Sequence, residues 1–189
     1  MTVDELVAGI QSEDEHKRTE TWQAAPGLGA AAVGPLADLS TNADLEVARA
    51  AMRGLWAVTR HAGRPDSGDT RAAVVEALIP LTGSAHPEQL RREVVWMLSE
   101  IADDGTVPLL ASLLSDGALR DDARMALERI PGEASLAALR EGLAAAPDDF
   151  KPNVAHSLRV RGEVVDNIPD LRRVPVHATS VTRDGRAGR

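Results

Sequence analysis

LRREVVWMLSEIADDGTVPLLASLLSDGALRDDARMALERIPG, residues 90–132, states one helix-turn-helix phrase and then begins it again. Leu90, Val94, Leu98 and Ile101 recur at helical spacing and stop at Asp103-Asp104-Gly105; Val107, Leu109, Leu110, Leu113 and Leu114 make a second apolar stripe. Leu119, Ala123, Leu127 and Ile130 repeat the first set 29 residues later and stop at Pro131-Gly132. A phrase returning after about thirty residues is the mark of stacked units, because one helix pair is too small to bury its apolar face alone.

The same phrase extends in both directions. Upstream, Val47, Ala51, Leu55 and Val58 precede Leu90, Val94, Leu98 and Ile101 by 43 residues, which predicts a long helix over 44–61. The excess spacing is accounted for by a loop at 62–69, AGRPDSGD, and a longer partner helix over 70–81 carrying Val74, Leu78 and Leu81. Further back, VDELVAGI at 3–10 reads as a short capping helix, 14–25 as a helix stopped by Pro26-Gly27, and 29–39 as its partner. Downstream, 133–146 pairs with 119–130. Phe150, Val154, Leu158 and Arg161 then open a fifth unit at an offset of 31. Its second helix is missing: after Gly162 the chain reads EVVDNIPDLRRVPVHATSVTRDGRAGR, which predicts an extended or partly disordered tail. The expected division is therefore a helical body at 1–161 and a basic, proline-containing tail at 162–189.

Composition supports this organisation and removes several chemistries. With 189 residues, 43% of them hydrophobic, the chain is long enough to bury roughly two thirds of its unfolded surface. It has no cysteine, so disulfides, thiolate metal sites and thiol nucleophiles are excluded and a cytoplasmic location is compatible. MTVDELVAGIQSEDEH is acidic and has no basic segment before an apolar run, which predicts no secretory leader, and no apolar stretch is long enough for a membrane span. The net charge of −8 divides into −12 on residues 1–150 and +4 on 151–189. An acidic body disfavours phosphate-backbone contacts, while the basic tail suits an acidic surface.

VVWMLSEIADDGTVPLLASLLSD and LRDDARMALERIPGEASLAALREGL resemble HEAT repeats, specifically the short bacterial HEAT-like type also found in phycobilisome bilin lyases. The resemblance spans roughly residues 13–161 and is strongest over 87–161. It implies an all-α, right-handed α-α superhelix of about four helix pairs plus an incomplete fifth, with the second helix of each pair lining a concave groove. By that likeness the groove is lined by 29–40, 70–81, 105–114 and 133–146. The resemblance implies a non-enzymatic protein-binding module or scaffold subunit, with no cofactor and a partner protein of unknown identity. The partner-facing candidates are Arg71, Glu76, Ser112, Arg140 and Glu141 on the groove helices, with Arg172, Arg173, Val174 and Val176 on the tail. An alternative under the same resemblance is a bilin or other chromophore lyase subunit; a third is a relative of the DNA-binding HEAT-like glycosylases. A tail that folds back over the open end, or docks on another subunit, would make the chain part of a larger assembly.

Each chemical motif has a plainer reading. HEAT-like di-iron hydroxylases hold their metal with His-Glu pairs, and none of His16, His61, His86, His156 and His177 is followed by Glu, so no metal is expected. Asp103-Asp104, Asp121-Asp122 and Asp148-Asp149 fall at helix starts or turns, where aspartate caps free backbone N–H groups. Gly27-Leu28-Gly29-Ala30-Ala31-Ala32 matches a phosphate-cradling turn, but that turn needs a preceding strand and here a helix precedes it. Trp22, Trp56 and Trp96 lie on first helices and are expected to pack between neighbouring repeats, with a binding hot spot as the second reading. Arg49, Arg53, Arg91, Arg92, Arg120, Arg124 and Lys151 form a ridge interleaved with acids, expected to be a solvated face with i to i+4 pairs rather than a binding stripe.

Overall fold

In the computed structural model of the chain, residues 1–169 are described, and they form helices and turns with no strand among them. The order is α1 (Val3–Ile10), α2 (Glu15–Ala24), α3 (Val33–Leu39), α4 (Leu45–Ala62), α5 (Gly68–Leu78), α6 (Glu88–Ile101), α7 (Val107–Leu113), α8 (Arg120–Arg129), α9 (Glu133–Ala145) and α10 (Lys151–Val160). Local chemistry sets the starts. Thr2 and Glu5 make a reciprocal capping box at α1, Asp14 accepts from the His16 N–H at α2, and Asp44 accepts from the Glu46 and Val47 N–H groups at α4.

The helices stack in two layers. Helices α2, α4, α6, α8 and α10 contact one another in sequence and form the first layer, while α3 meets α5 and α7 meets α9 in the second. The repeat seen in the sequence is a repeat of burial: Leu55, Leu98, Leu127 and Leu158 hold the same place in successive first-layer helices, and none is more than 2% exposed. Burying each such leucine contributes about 1.5–3 kcal/mol, which no isolated pair of these helices obtains. This is the expected all-α solenoid. The core itself divides in two. One cluster runs from Leu6 to Ile101, the other from Val95 to Leu158, and α6 supplies buried residues to both. Across this divide α5 and α7 make no contact comparable to those of α3 with α5 or α7 with α9.

Second-layer helices are shorter than the apolar spacing predicts. The helix expected over 29–39 is a 3-10 segment, Ala25–Ala32, followed by α3; Gly29 inside it has φ 54°, a conformation open to glycine and not to a β-carbon. The helix expected over 70–81 starts earlier, at Gly68, and yields to a 3-10 turn at Ile79–Thr82, where Pro80 has no N–H to give to the α-helical ladder. The one expected over 105–114 likewise opens with a 3-10 turn, Asp104–Thr106, ahead of Pro108. In the first of these segments Pro26 likewise lies at the start, so each carries a proline or glycine that breaks regular bonding while leaving the leucines inward.

Beyond α10 the chain turns at Gly162 (φ 89°) and lies back against the end of the stack. Glu163 pairs with Arg140 of α9, Val165 packs on the second cluster, and Arg159 donates to the Val165 and Ile168 carbonyl oxygens at 2.8 and 2.5 Å. The segment 163–168 therefore covers part of the end left open by the missing helix. Among the described residues no helix is long and apolar enough to cross a membrane.

Candidate functional site

The first layer carries a lattice of polar contacts from one repeat to the next. Trp56 of α4 donates its indole N–H to Glu93 Oε2 of α6 at 2.8 Å, and Trp96 of α6 donates to Asp122 Oδ1 of α8 at 2.9 Å. Arg92 takes the other oxygen of Asp122 at 3.0 Å. Arg91 reaches Asp116 at 2.5 Å and the Thr82 carbonyl at 2.9 Å; Arg120 reaches Asp149 at 2.6 Å and lies 4.7 Å over the Phe150 ring. In α8 the buried Arg124 holds Asp121, Glu128 and Ser157, linking α8 to α10. Two tryptophans thus pack between repeats as the sequence suggests, each with a carboxylate of the following helix fixing the ring.

This lattice corrects two expectations. The arginine ridge is not a uniform face of i to i+4 pairs: Arg91, Arg92 and Arg120 spend their charge on carboxylates 25 to 30 residues away, while the exposed Arg53 has no hydrogen-bond or ion-pair partner among the described residues. Only Arg49–Glu46, Arg124 and Lys151–Asp148 make pairs within one turn of a helix. The aspartate pairs are not generally caps. Asp103 does accept from the Gly105 N–H, but the buried Asp122 serves Trp96 and Arg92, Asp121 serves Arg124, Asp148 serves Lys151 and Asp149 serves Arg120. Asp121 and Asp122 lie in the first turn of α8, where the helix dipole favours them, yet Asp122 gives its oxygens to the indole and guanidinium of α6 across the repeat junction and Asp121 gives one to Arg124 of its own helix.

The second layer holds the groove candidates, and they do not converge. Glu76 on α5 is exposed and Arg71 half-buried, with its Nε buried and unpartnered. Ser112 on α7 is exposed and turns its hydroxyl back to the Leu109 carbonyl at 2.7 Å. Arg140 on α9 is held within the chain by Glu133 and Glu163, both short contacts. Glu141 alone borders a concavity, a cavity of about 380 Å³ between α7 and α9 whose walls include Leu114, Arg120, Ala138, Gly142 and Ala145. Arg172, Arg173, Val174 and Val176 lie outside the described residues. Arg53, Trp56 and Arg60 share one face of α4, but Trp22 joins them around a second cavity only because α2 and α4 meet in the fold.

Three carboxyls in these contacts are held below their ordinary values: Asp116, Asp148, chiefly through its hydrogen bond from Lys151, and Glu163. Arg91's hydrogen bond is the main cause at Asp116, with the Ala118 N–H second; Arg140's hydrogen bond is the main cause at Glu163. A lowered carboxyl binds fewer protons in the folded than in the unfolded chain. Its contribution is therefore complete above the ordinary values, 3.8 for Asp116 and 4.5 for Glu163, and is lost as pH falls through the lowered ones. Calorimetry at fixed ionic strength is expected to show a melting temperature that falls in this acidic range. In Glu163→Gln the portion of that fall due to Glu163 disappears; an unchanged acid limb would remove Glu163 from the account.

Residues 75–159 match the family model of HEAT repeats. No curated protein matches the chain. Among solved structures, the crystal structure of an engineered protein matches with 24% sequence identity over 85% of this chain and 79% of that one, at a TM-score of 0.44.

Proposed function

We propose that this HEAT-like repeat protein is a non-enzymatic protein-binding module whose repeat surface is the binding site. What supports the reading is the way the chain spends its charged side chains. In the first layer they lock successive repeats together at fixed distances, and the helices of the second layer are left with exposed polar groups beside an open cavity. Within each half of the stack a receptor held in this way is preorganised, so binding at the α7–α9 cavity orders the partner without also ordering that half. HEAT repeats in general serve as interaction scaffolds, and residues 75–159 carry that pattern.

Native capture from the source cell tests the proposal, comparing the full chain with one ending at residue 169. The cut follows Pro169 because 163–168 packs against α9 and α10. The same partner is expected with both chains, and Glu141→Arg at the α7–α9 cavity is expected to weaken its retention. Loss of the partner with the tail, while the shorter chain keeps its helical circular dichroism, would move the binding site to 170–189. Retention of nothing by either chain would defeat the module reading.

A further inference from the structure

Trp56 and Trp96 each find a carboxylate on the next first-layer helix, at Glu93 and Asp122. Those two acids hold the same repeat position, 29 residues apart, and the corresponding position in α4, 43 residues before Glu93, is Ala50. Trp22 of α2 faces the junction with α4, and its indole N–H is buried without a hydrogen-bond partner. The first junction of the stack therefore repeats the indole donor and omits the acceptor.

The same junction gathers cations. Trp22, Arg49, Met52, Arg53, Trp56 and Arg60 border a cavity of about 430 Å³, with no acidic residue in its wall. Arg49 is paired with Glu46, Arg60 lies 4.9 Å over the Trp56 ring, and among the described residues the Arg53 guanidinium has no hydrogen-bond or ion-pair partner. On a body carrying −12 over residues 1–150 this is a local reversal of sign. The chain also contains the matching complex in a finished form: Asp122 receives the Trp96 N–H on one oxygen and the Arg92 Nε on the other.

We propose that the cavity between α2 and α4 is a receptor for a carboxylate side chain on an acidic segment of a partner protein, with Trp22 and Arg53 as its donors. The proposal rests on the protein-binding reading and deepens it by naming the partner's chemistry. Charge-assisted hydrogen bonds of this kind favour a carboxylate over a neutral amide, and the flat aromatic walls exclude water from them. A peptide carboxylate is favoured over a phosphate backbone because the finished complex within the chain, Asp122 between Trp96 and Arg92, holds a carboxylate.

The test follows the three indole N–H resonances by proton–nitrogen NMR, with Trp22→Phe identifying the first. The probe is a short blocked peptide of alternating glutamate and alanine, with its glutamine counterpart as control. Expected is a saturable downfield movement of the Trp22 resonance while that of Trp96, outside the cavity, stays in place, no response to the glutamine peptide, and about tenfold weaker binding in Arg53→Gln. Arg53 is exposed, so this substitution spares the core. A response to both peptides alike, a common movement of all three indoles, or none at millimolar peptide overturns the proposal. So does movement of Trp22 by a single-stranded oligonucleotide and not by the acidic peptide, which would assign the cavity to nucleic acid. Failure here alongside partner capture by the full chain defeats this site and leaves the module reading standing; failure of both defeats both.

Discussion

Asp122→Ala is expected to lower the free energy of unfolding by about 2–3 kcal/mol, measured by urea denaturation. Asp122 is 5% exposed and accepts from two donors of the preceding repeat, the Trp96 indole and the Arg92 guanidinium. Alanine removes both acceptors at once and leaves the half-buried indole N–H without a partner inside the α6–α8 junction. Asp122→Asn separates the contributions: its amide oxygen still serves Trp96 while the charge for Arg92 is gone, so roughly half the loss should return. The comparison with Glu93→Ala is also informative, since Glu93 serves Trp56 in the same way but is less buried. A loss below about 0.5 kcal/mol for Asp122→Ala, the size of an ordinary exposed pair, would mean that apolar stacking alone joins the repeats.

Arg161→Ala is expected to cost a similar amount, about 2–3 kcal/mol, for a different reason. Arg161 occupies the place in the fifth unit that Ile130 holds in the fourth, yet it spends its guanidinium on backbone. Nη1 donates to the carbonyl oxygens of Leu127 and Ile130 at 3.1 and 2.8 Å and to the Ser135 hydroxyl at 3.0 Å, and Nη2 donates to the Gly132 carbonyl at 2.8 Å. These groups lie at the end of α8 and the turn into α9, where the Ser135 hydroxyl also donates to the Ile130 and Gly132 carbonyls, so Arg161 completes a shared set of bonds at the helix end. Arg161→Lys should not restore stability, because a single ammonium cannot reproduce a planar fork aimed at separate carbonyls. If lysine fully rescues, charge at the helix end is sufficient and the fork geometry is irrelevant. A chain ending at residue 160 should behave like Arg161→Ala or worse, whereas one ending at 169 keeps the contact.

What was readable from the sequence was what repeats within a helix. Leu90, Val94, Leu98 and Ile101 declare a buried face by spacing alone, and their counterparts at fixed offsets are buried as well. The second-layer helices were harder: their leucines are periodic, but Pro80 and Gly29 decide where regular bonding gives way, and apolar spacing does not register a missing N–H or a positive φ. The polar lattice was the least readable part. Arg92 and Asp122 lie 30 residues apart, and their meeting depends on the distance between α6 and α8, which local charge patterns do not encode. That is why the ridge looked like a solvated face, and why Arg140 looked available although Glu133 and Glu163 hold it. A signal did exist: acids at the same repeat position in Glu93 and Asp122, set one helix after a tryptophan, with alanine in that position in α4.

The divided core has a mechanical consequence. With buried residues of α6 serving both clusters and no substantial contact between α5 and α7, bending the two halves against each other about α6 sacrifices little second-layer packing. Relative motion should concentrate at that hinge, with each half moving as a body. A ligand spanning α5 and α9 would then select one curvature from those the stack samples, and its affinity would carry the energy of that bend. A ligand confined to α2 and α4 would be blind to it. The two proposed sites would thus differ in kind, one depending on the shape of the stack as a whole and one not.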